Sequence, residues 1–170
     1  ITWEHIFTIG PPFAAVTLMD STIFGMYSKY GRLIRSENLG HTWELFDTDS
    51  IPFSKFFSGT PGWLISHDKD LFFATAYGCY PYLFRSPDGG ETWHTINPEV
   101  LAEHQLHGLS SQEEGLLAGT NLGVFRSNNQ GNSFEADHSG MNAARIDELL
   151  QTPDGHWWAA AALGTYRSTD

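Results

Sequence analysis

The chain has 170 residues, with 20 acidic and 9 basic side chains and a formal net charge of −11. A surface of that sign repels phosphate backbones and anionic headgroups, which argues against nucleic-acid binding and membrane adsorption. Apolar residues make up 41% and aromatic residues 14%, enough for a packed core and too much for wholesale disorder.

No apolar run approaches the ~20 residues of a membrane helix, so membrane insertion is not expected. No signal peptide is read, and the chain opens on Ile-Thr-Trp without a Met, as a processed or trimmed segment would. Cys79 stands alone. It reads as a small buried hydrophobe, not as a nucleophile.

In chain order the segments are short and strand-like. The first unit reads A-V-T-L (15–18), T-I-F-G-M-Y (22–27), R-L-I-R-S (32–36) and T-W-E-L-F (42–46). The second reads W-L-I-S (63–66), L-F-F-A-T-A (71–76), Y-L-F-R-S (82–86) and T-W-H-T-I (92–96). The third reads Q-L-H-G-L-S-S-Q (105–112), L-L-A-G-T (116–120), V-F-R-S (124–127) and S-F-E-A (133–136). The fourth reads R-I-D-E-L-L-Q (145–151), H-W-W-A-A-A-A (156–162) and L-G-T-Y-R-S (163–168). Gly, Asp, Asn and Pro turns separate them. Residues 159–162 are Ala-rich, but the repeat register predicts a strand there. A short helical turn is predicted near 99–104, with Pro98 at its start.

One motif recurs: Ser-x-(Asp/Asn)-x-Gly-x-(Thr/Ser)-(Trp/Phe). Its positions are Ser36, Asn38, Gly40 and Trp43; Ser86, Asp88, Gly90 and Trp93; and Ser127, Asn129, Gly131 and Phe134. Ser168 and Asp170 begin a fourth copy, and Ile1-Thr2-Trp3 matches the last positions of one. The serines step by 50, 41 and 41 residues. The chain therefore divides into repeats of about 1–43, 44–93, 94–134 and 135–170, cut inside a repeat at both ends. Four strands per ~41 residues predicts an all-β fold of four β-propeller blades. The blades are part of a larger propeller, half of a dimeric ring, or a four-bladed ring completed by Thr2-Trp3-Glu4. The first two assemblies make further blades, or a second copy of the chain, the partner.

The motif resembles the Asp-box, or BNR repeat, of sialidases, xyloglucanases, sortilin-type receptors and photosystem II assembly factors. The resemblance implies a propeller and an extracytoplasmic setting, secreted or periplasmic. It also implies boxes that are turns lying away from the substrate site. Turn chemistry agrees: Asn replaces Asp in two of the motifs, a change that a general acid or base would not survive.

Four arginines precede the motif serines: Arg35, Arg85, Arg126 and Arg167. They read either as stems packed on neighbouring blades with acid-paired heads, or as a set of guanidinium groups that binds an acidic or C-terminal peptide. The arginine-lined face of the assembly-factor family supports the second reading. A sialidase site is not expected: no Arg-Ile-Pro element exists, and only Arg32 and Arg145 lie outside the motif register.

Asp20, Asp68, Asp70, Glu113, Glu114 and Asp154 are turn acids that a glycosidase could use in pairs, though turns favour such residues anyway. Trp63, Tyr77, Tyr80, Tyr82, Trp157 and Trp158 suit either sugar stacking or an inter-blade core. His104 and His107, with Glu103 beside them, have a spacing that can bind metal on a helix. No third ligand stands at a recognisable spacing, so neither metal nor cofactor is expected. The function expected is a non-catalytic recognition or assembly scaffold with a protein or carbohydrate ligand. The alternative is a fragment of a glycoside hydrolase with an incomplete site.

Overall fold

The computed structural model describes residues 13–27, 32–45, 62–75, 83–96, 99–112, 115–142 and 145–168. Trp3, Tyr77, Cys79, Tyr80, Tyr82, Pro98, Glu113, Glu114 and Asp170 lie outside them.

The strands in chain order are β1 (Phe13–Met19), β2 (Thr22–Tyr27), β3 (Leu33–Ser36), β4 (Glu44–Leu45), β5 (Trp63–His67), β6 (Asp70–Ala74), β7 (Leu83–Ser86) and β8 (His94–Ile96). They continue as β9 (Leu106–Gln112), β10 (Gly115–Thr120), β11 (Gly123–Ser127), β12 (Glu135–Ala136), β13 (Ile146–Gln151), β14 (Trp157–Ala161) and β15 (Gly164–Arg167). One short helix among the described residues, α1 (Glu99–Ala102), precedes β9.

Consecutive strands pair in up-and-down order: β1-β2-β3-β4, β5-β6-β7-β8, β9-β10-β11-β12 and β13-β14-β15. Each sheet is a propeller blade, so the expected all-β architecture holds. The fourth blade has three strands among the described residues. The Ala-rich stretch is strand β14, as the repeat register requires, and the helical turn is α1. Asp70, read as a turn residue, instead opens β6, where it is only 8% exposed.

Cross-strand register repeats between blades. In blade one, Thr17, Phe24, Arg35 and Glu44 lie opposite one another in turn. In blade three the row is Ser110, Leu117, Arg126 and Glu135. In blade four it is Leu150, Trp158 and Arg167. Residues directly opposite share a face. In these three blades the motif arginine therefore sits on the same face as the apolar residue of the strand before it. In blades one and three, a Glu from the outermost strand stands on its other side.

The chain forms two compact units. One comprises Ile1–Phe73 with Phe84–His94; the other comprises Ala74–Leu83 with Thr95–Asp170. In the first, β1 runs beside β5, and the Ser66 hydroxyl donates to the Leu18 carbonyl at 2.7 Å. Phe72, Phe73 and Phe84 are fully buried there, with the rings of Phe73 and Phe84 stacked at 6.2 Å.

In the second unit, β13 packs against β9 and β10. A Cβ on Gly119 of β10 would come within 2.8 Å of Ile146 Cγ2, so a glycine permits this close approach of two blades. Leu117, Val124, Ile146, Trp157 and Ala159 form the core that results.

Candidate functional site

The motif turns are built from their own side chains. Ser36, Ser86 and Ser127 are buried at the ends of β3, β7 and β11. Their hydroxyls accept from the N–H groups of Gly40 (2.8 Å), Gly90 (2.7 Å) and Gly131 (2.9 Å). They donate to Oδ1 of Asn38, Asp88 and Asn129. Each of these Oδ1 atoms also accepts the N–H four residues on, from Thr42, Thr92 or Ser133.

The chain can satisfy these donors only by curling through the left-handed region. Gly40, Gly90 and Gly131 have φ of 90°, 97° and 83°. The residue before each is left-handed too: Leu39 (56°), Gly89 (69°) and Gln130 (60°). Nothing in the sequence marks Leu39 or Gln130 for that conformation. The hydrogen bonds on either side hold them in it against a cost of roughly 1–2 kcal/mol each. Trp93 and Phe134 close their turns as buried side chains. The motif residues are thus engaged with one another.

The two motif chemistries differ at one atom. Asn38 and Asn129 donate Nδ2–H to the hydroxyls of Thr42 and Ser133, both at 2.8 Å. At Asp88 the direction reverses, and the Thr92 hydroxyl donates to the carboxylate. Burial works against the Asp88 charge, but the hydrogen bonds from Thr92 and Ser86 outweigh it and hold the carboxyl below its usual value.

A lowered folded pKa stabilises fully above the unfolded value of ~3.9, and that stabilisation is lost as pH falls through the folded value. Asp88→Asn is therefore expected to lie within ~0.5 kcal/mol of the parent at pH 7 and to lose less stability below pH 4. Asp88→Ala is expected to cost about 1–2 kcal/mol at pH 7. Urea denaturation from pH 7 to 2 checks both; a steeper acid loss in the Asn variant rejects the account.

The motif arginines have unequal surroundings. Arg35 Nε lies 2.8 Å from Glu44, and Arg35 also reaches Glu37 and Glu91. Arg85 holds the buried Asp70 through Nε and Nη2, both at 2.7 Å. Arg126 Nε lies 2.6 Å from Asp137. Arg167 is exposed, lies 5.9 Å from the Trp158 ring centroid, and has no acidic partner among the described residues.

The turn acids also have structural tasks. Asp20 and Asp68 adopt left-handed φ of 53° and 54°, which a short polar side chain tolerates. Asp154 accepts the Thr152 hydroxyl, which holds its carboxyl below the usual range. His104 stacks on Phe125, with ring centroids 5.3 Å apart. No cluster of metal-ligating side chains occurs among the described residues.

Within the second unit the structure brings Arg126 and Arg167 to one cleft of about 520 Å³. Leu117, Val124, Leu149, Trp157 and Ala159 form its apolar floor, and Tyr166 lines it as well. Arg126, Asp137, His138, Arg167 and Ser168 supply polar groups. His138 Nδ1 lies 3.1 Å from the Val124 carbonyl, which pins the ring. The Ser168 hydroxyl, unlike the other motif serines, accepts the Trp157 N–H at 2.8 Å. Repeat register predicted the two arginines, but the cleft draws on β10, β11, β13, β14, β15 and the 137–141 loop, which no single repeat reveals.

No protein-family model and no curated protein matches the chain. Solved structures do. YCF48 bound to D1 peptide aligns at TM-score 0.62 and 15% identity, over 92% of this chain and 50% of that one. The extracellular domain of BT4673 from B. thetaiotaomicron aligns at TM-score 0.68 and 14% identity, over 99% and 22%. The GH74 xyloglucanase of Xanthomonas campestris aligns at TM-score 0.62 and 18% identity, over 88% and 26%. The chain thus spans half the length of the YCF48 chain and about a quarter of the other two. All three are β-propellers, and at these identities the likeness establishes the fold alone: the chain is four blades of β-propeller architecture.

Proposed function

We propose that the chain is a non-catalytic recognition scaffold that takes a protein segment in the cleft beside β15. The observation that carries this reading is the pairing of an apolar, aromatic floor with two guanidinium groups in a chain of net charge −11. Such a site favours an extended segment with an aromatic side chain for the floor and a carboxylate for Arg167. The similar fold of YCF48 carries a bound peptide, which supports a protein ligand.

Fluorescence anisotropy with labelled acidic–aromatic hexapeptides tests the reading. Binding is expected, weakened about tenfold by Arg167→Glu and further by salt. The competing reading, a fragment of a glycoside hydrolase, draws support from the similar fold of the xyloglucanase. Turnover of fluorogenic glycosides that vanishes in Asp154→Asn establishes that reading instead.

A further inference from the structure

His138 and the charge balance of the cleft narrow the chemistry of its ligand. We propose that the segment taken there carries an unmodified tyrosine whose hydroxyl donates to His138 Nε2, together with a single carboxylate for Arg167. This rests on reading the cleft as a site for a protein segment.

The first argument is the tautomer. A carbonyl oxygen only accepts, so His138 Nδ1, 3.1 Å from the Val124 carbonyl, carries the ring proton. In the neutral ring Nε2 is then an acceptor. Nε2 makes no hydrogen bond among the described residues, and it is not buried. Its lone pair is left for a donor that the ligand brings.

The second argument is that the ring is fixed in advance. The Val124 carbonyl also accepts the Asp137 N–H at 2.8 Å, which holds the corner at 137–138 to β11. A Cβ on Gly123 would stand 2.8 Å from His138 Nδ1 and 2.9 Å from Cγ. That edge of the ring therefore lies on backbone that only a glycine leaves bare. Phe125 meets the ring edge to face, with centroids 5.7 Å apart. Nε2 is on the opposite edge from Cγ, and binding spends little entropy on ordering it.

The third argument selects the donor. Arg126 and Arg167 both line the cleft, and they repel a Lys or Arg donor. A neutral donor is needed, on an apolar body that suits the floor of Leu117, Val124, Trp157 and Ala159. Tyrosine joins the two, with a ring for the floor and an O–H at its tip. Asp137 lies 2.6 Å from Arg126 and compensates that cation. The cleft thus balances one carboxylate and not the extra charge of a phosphotyrosine, which also lacks the O–H donor.

Fluorescence anisotropy on the full 170-residue chain at pH 8 tests this. The probes are labelled hexapeptides holding one Asp and one aromatic residue in a Gly-Ser frame. The tyrosine peptide is expected to bind about fivefold tighter than its phenylalanine and O-methyltyrosine counterparts, the worth of one neutral hydrogen bond. It is also expected to bind tighter than the phosphotyrosine peptide. In His138→Phe, which keeps a ring and removes the acceptor, the preference for tyrosine over phenylalanine is expected to vanish. The O-methyltyrosine comparison needs no variant, so it decides the outcome even where His138→Phe does not fold.

Equal binding of the tyrosine and phenylalanine peptides overturns the proposal. So does a tyrosine preference that persists in folded His138→Phe, or tighter binding of the phosphotyrosine peptide. In each of these cases the recognition reading stands. If none of the peptides binds, both fall.

Discussion

Reversing Arg85 to Glu is expected to destabilise the fold by roughly 2–4 kcal/mol, because it leaves Asp70 facing a like charge in a largely buried setting. Asp70 is 11% exposed at its side chain, and Arg85 is its partner through two nitrogens. The same reversal at Arg126 is expected to cost under ~1 kcal/mol, since its partner Asp137 is 42% exposed and water screens the pair. Urea denaturation of the two variants, followed by circular dichroism, reads the difference. Equal costs would show that the Asp70 pair has no special structural role. The contrast bears on function: four arginines in one register share a position but not a task. Arg85 serves the blade, while Arg126 and Arg167 line the cleft.

Gly115→Ala is the substitution expected to damage the fold most, by more than ~3 kcal/mol, through backbone strain and steric collision. Gly115 opens β10 with φ of 139°, and a Cβ there would stand 2.0 Å from the Ser127 carbonyl oxygen. That oxygen belongs to the backbone of a motif turn and cannot move without breaking it. Gly155→Ala serves as the control. Its φ is 91°, but nothing lies within 4 Å of the added atom, so it is expected to cost about 1 kcal/mol. The midpoints of urea unfolding separate the two. If Gly115→Ala folds as stably as Gly155→Ala, the close approach of β10 to the motif turn is not a constraint.

Blade architecture and the pattern of the motif turns are legible in the order of residues alone. Both depend on contacts within some forty residues: Ser127 to Gly131, Asn129 to Ser133, a strand to its sequential neighbour. Local patterns repeat, and repetition makes them legible without knowledge of how blades pack. The same reading found an arginine directly before each of the four motif serines.

What surrounds each of them depends on how the strands pack. Asp70 lies fifteen residues before Arg85, and its burial there follows from the packing of β6, which turn propensity does not register. Leu39 and Gln130 adopt left-handed conformations that their side chains disfavour, because the flanking hydrogen bonds outweigh local preference. The cleft forms where two blades meet, with Gly119 letting β10 approach Ile146. Chain pattern reports which face a residue takes on its own strand. Which neighbour then covers that face depends on the packing of whole sheets, and that separates the buried Leu117 of blade three from the bare Trp158 of blade four.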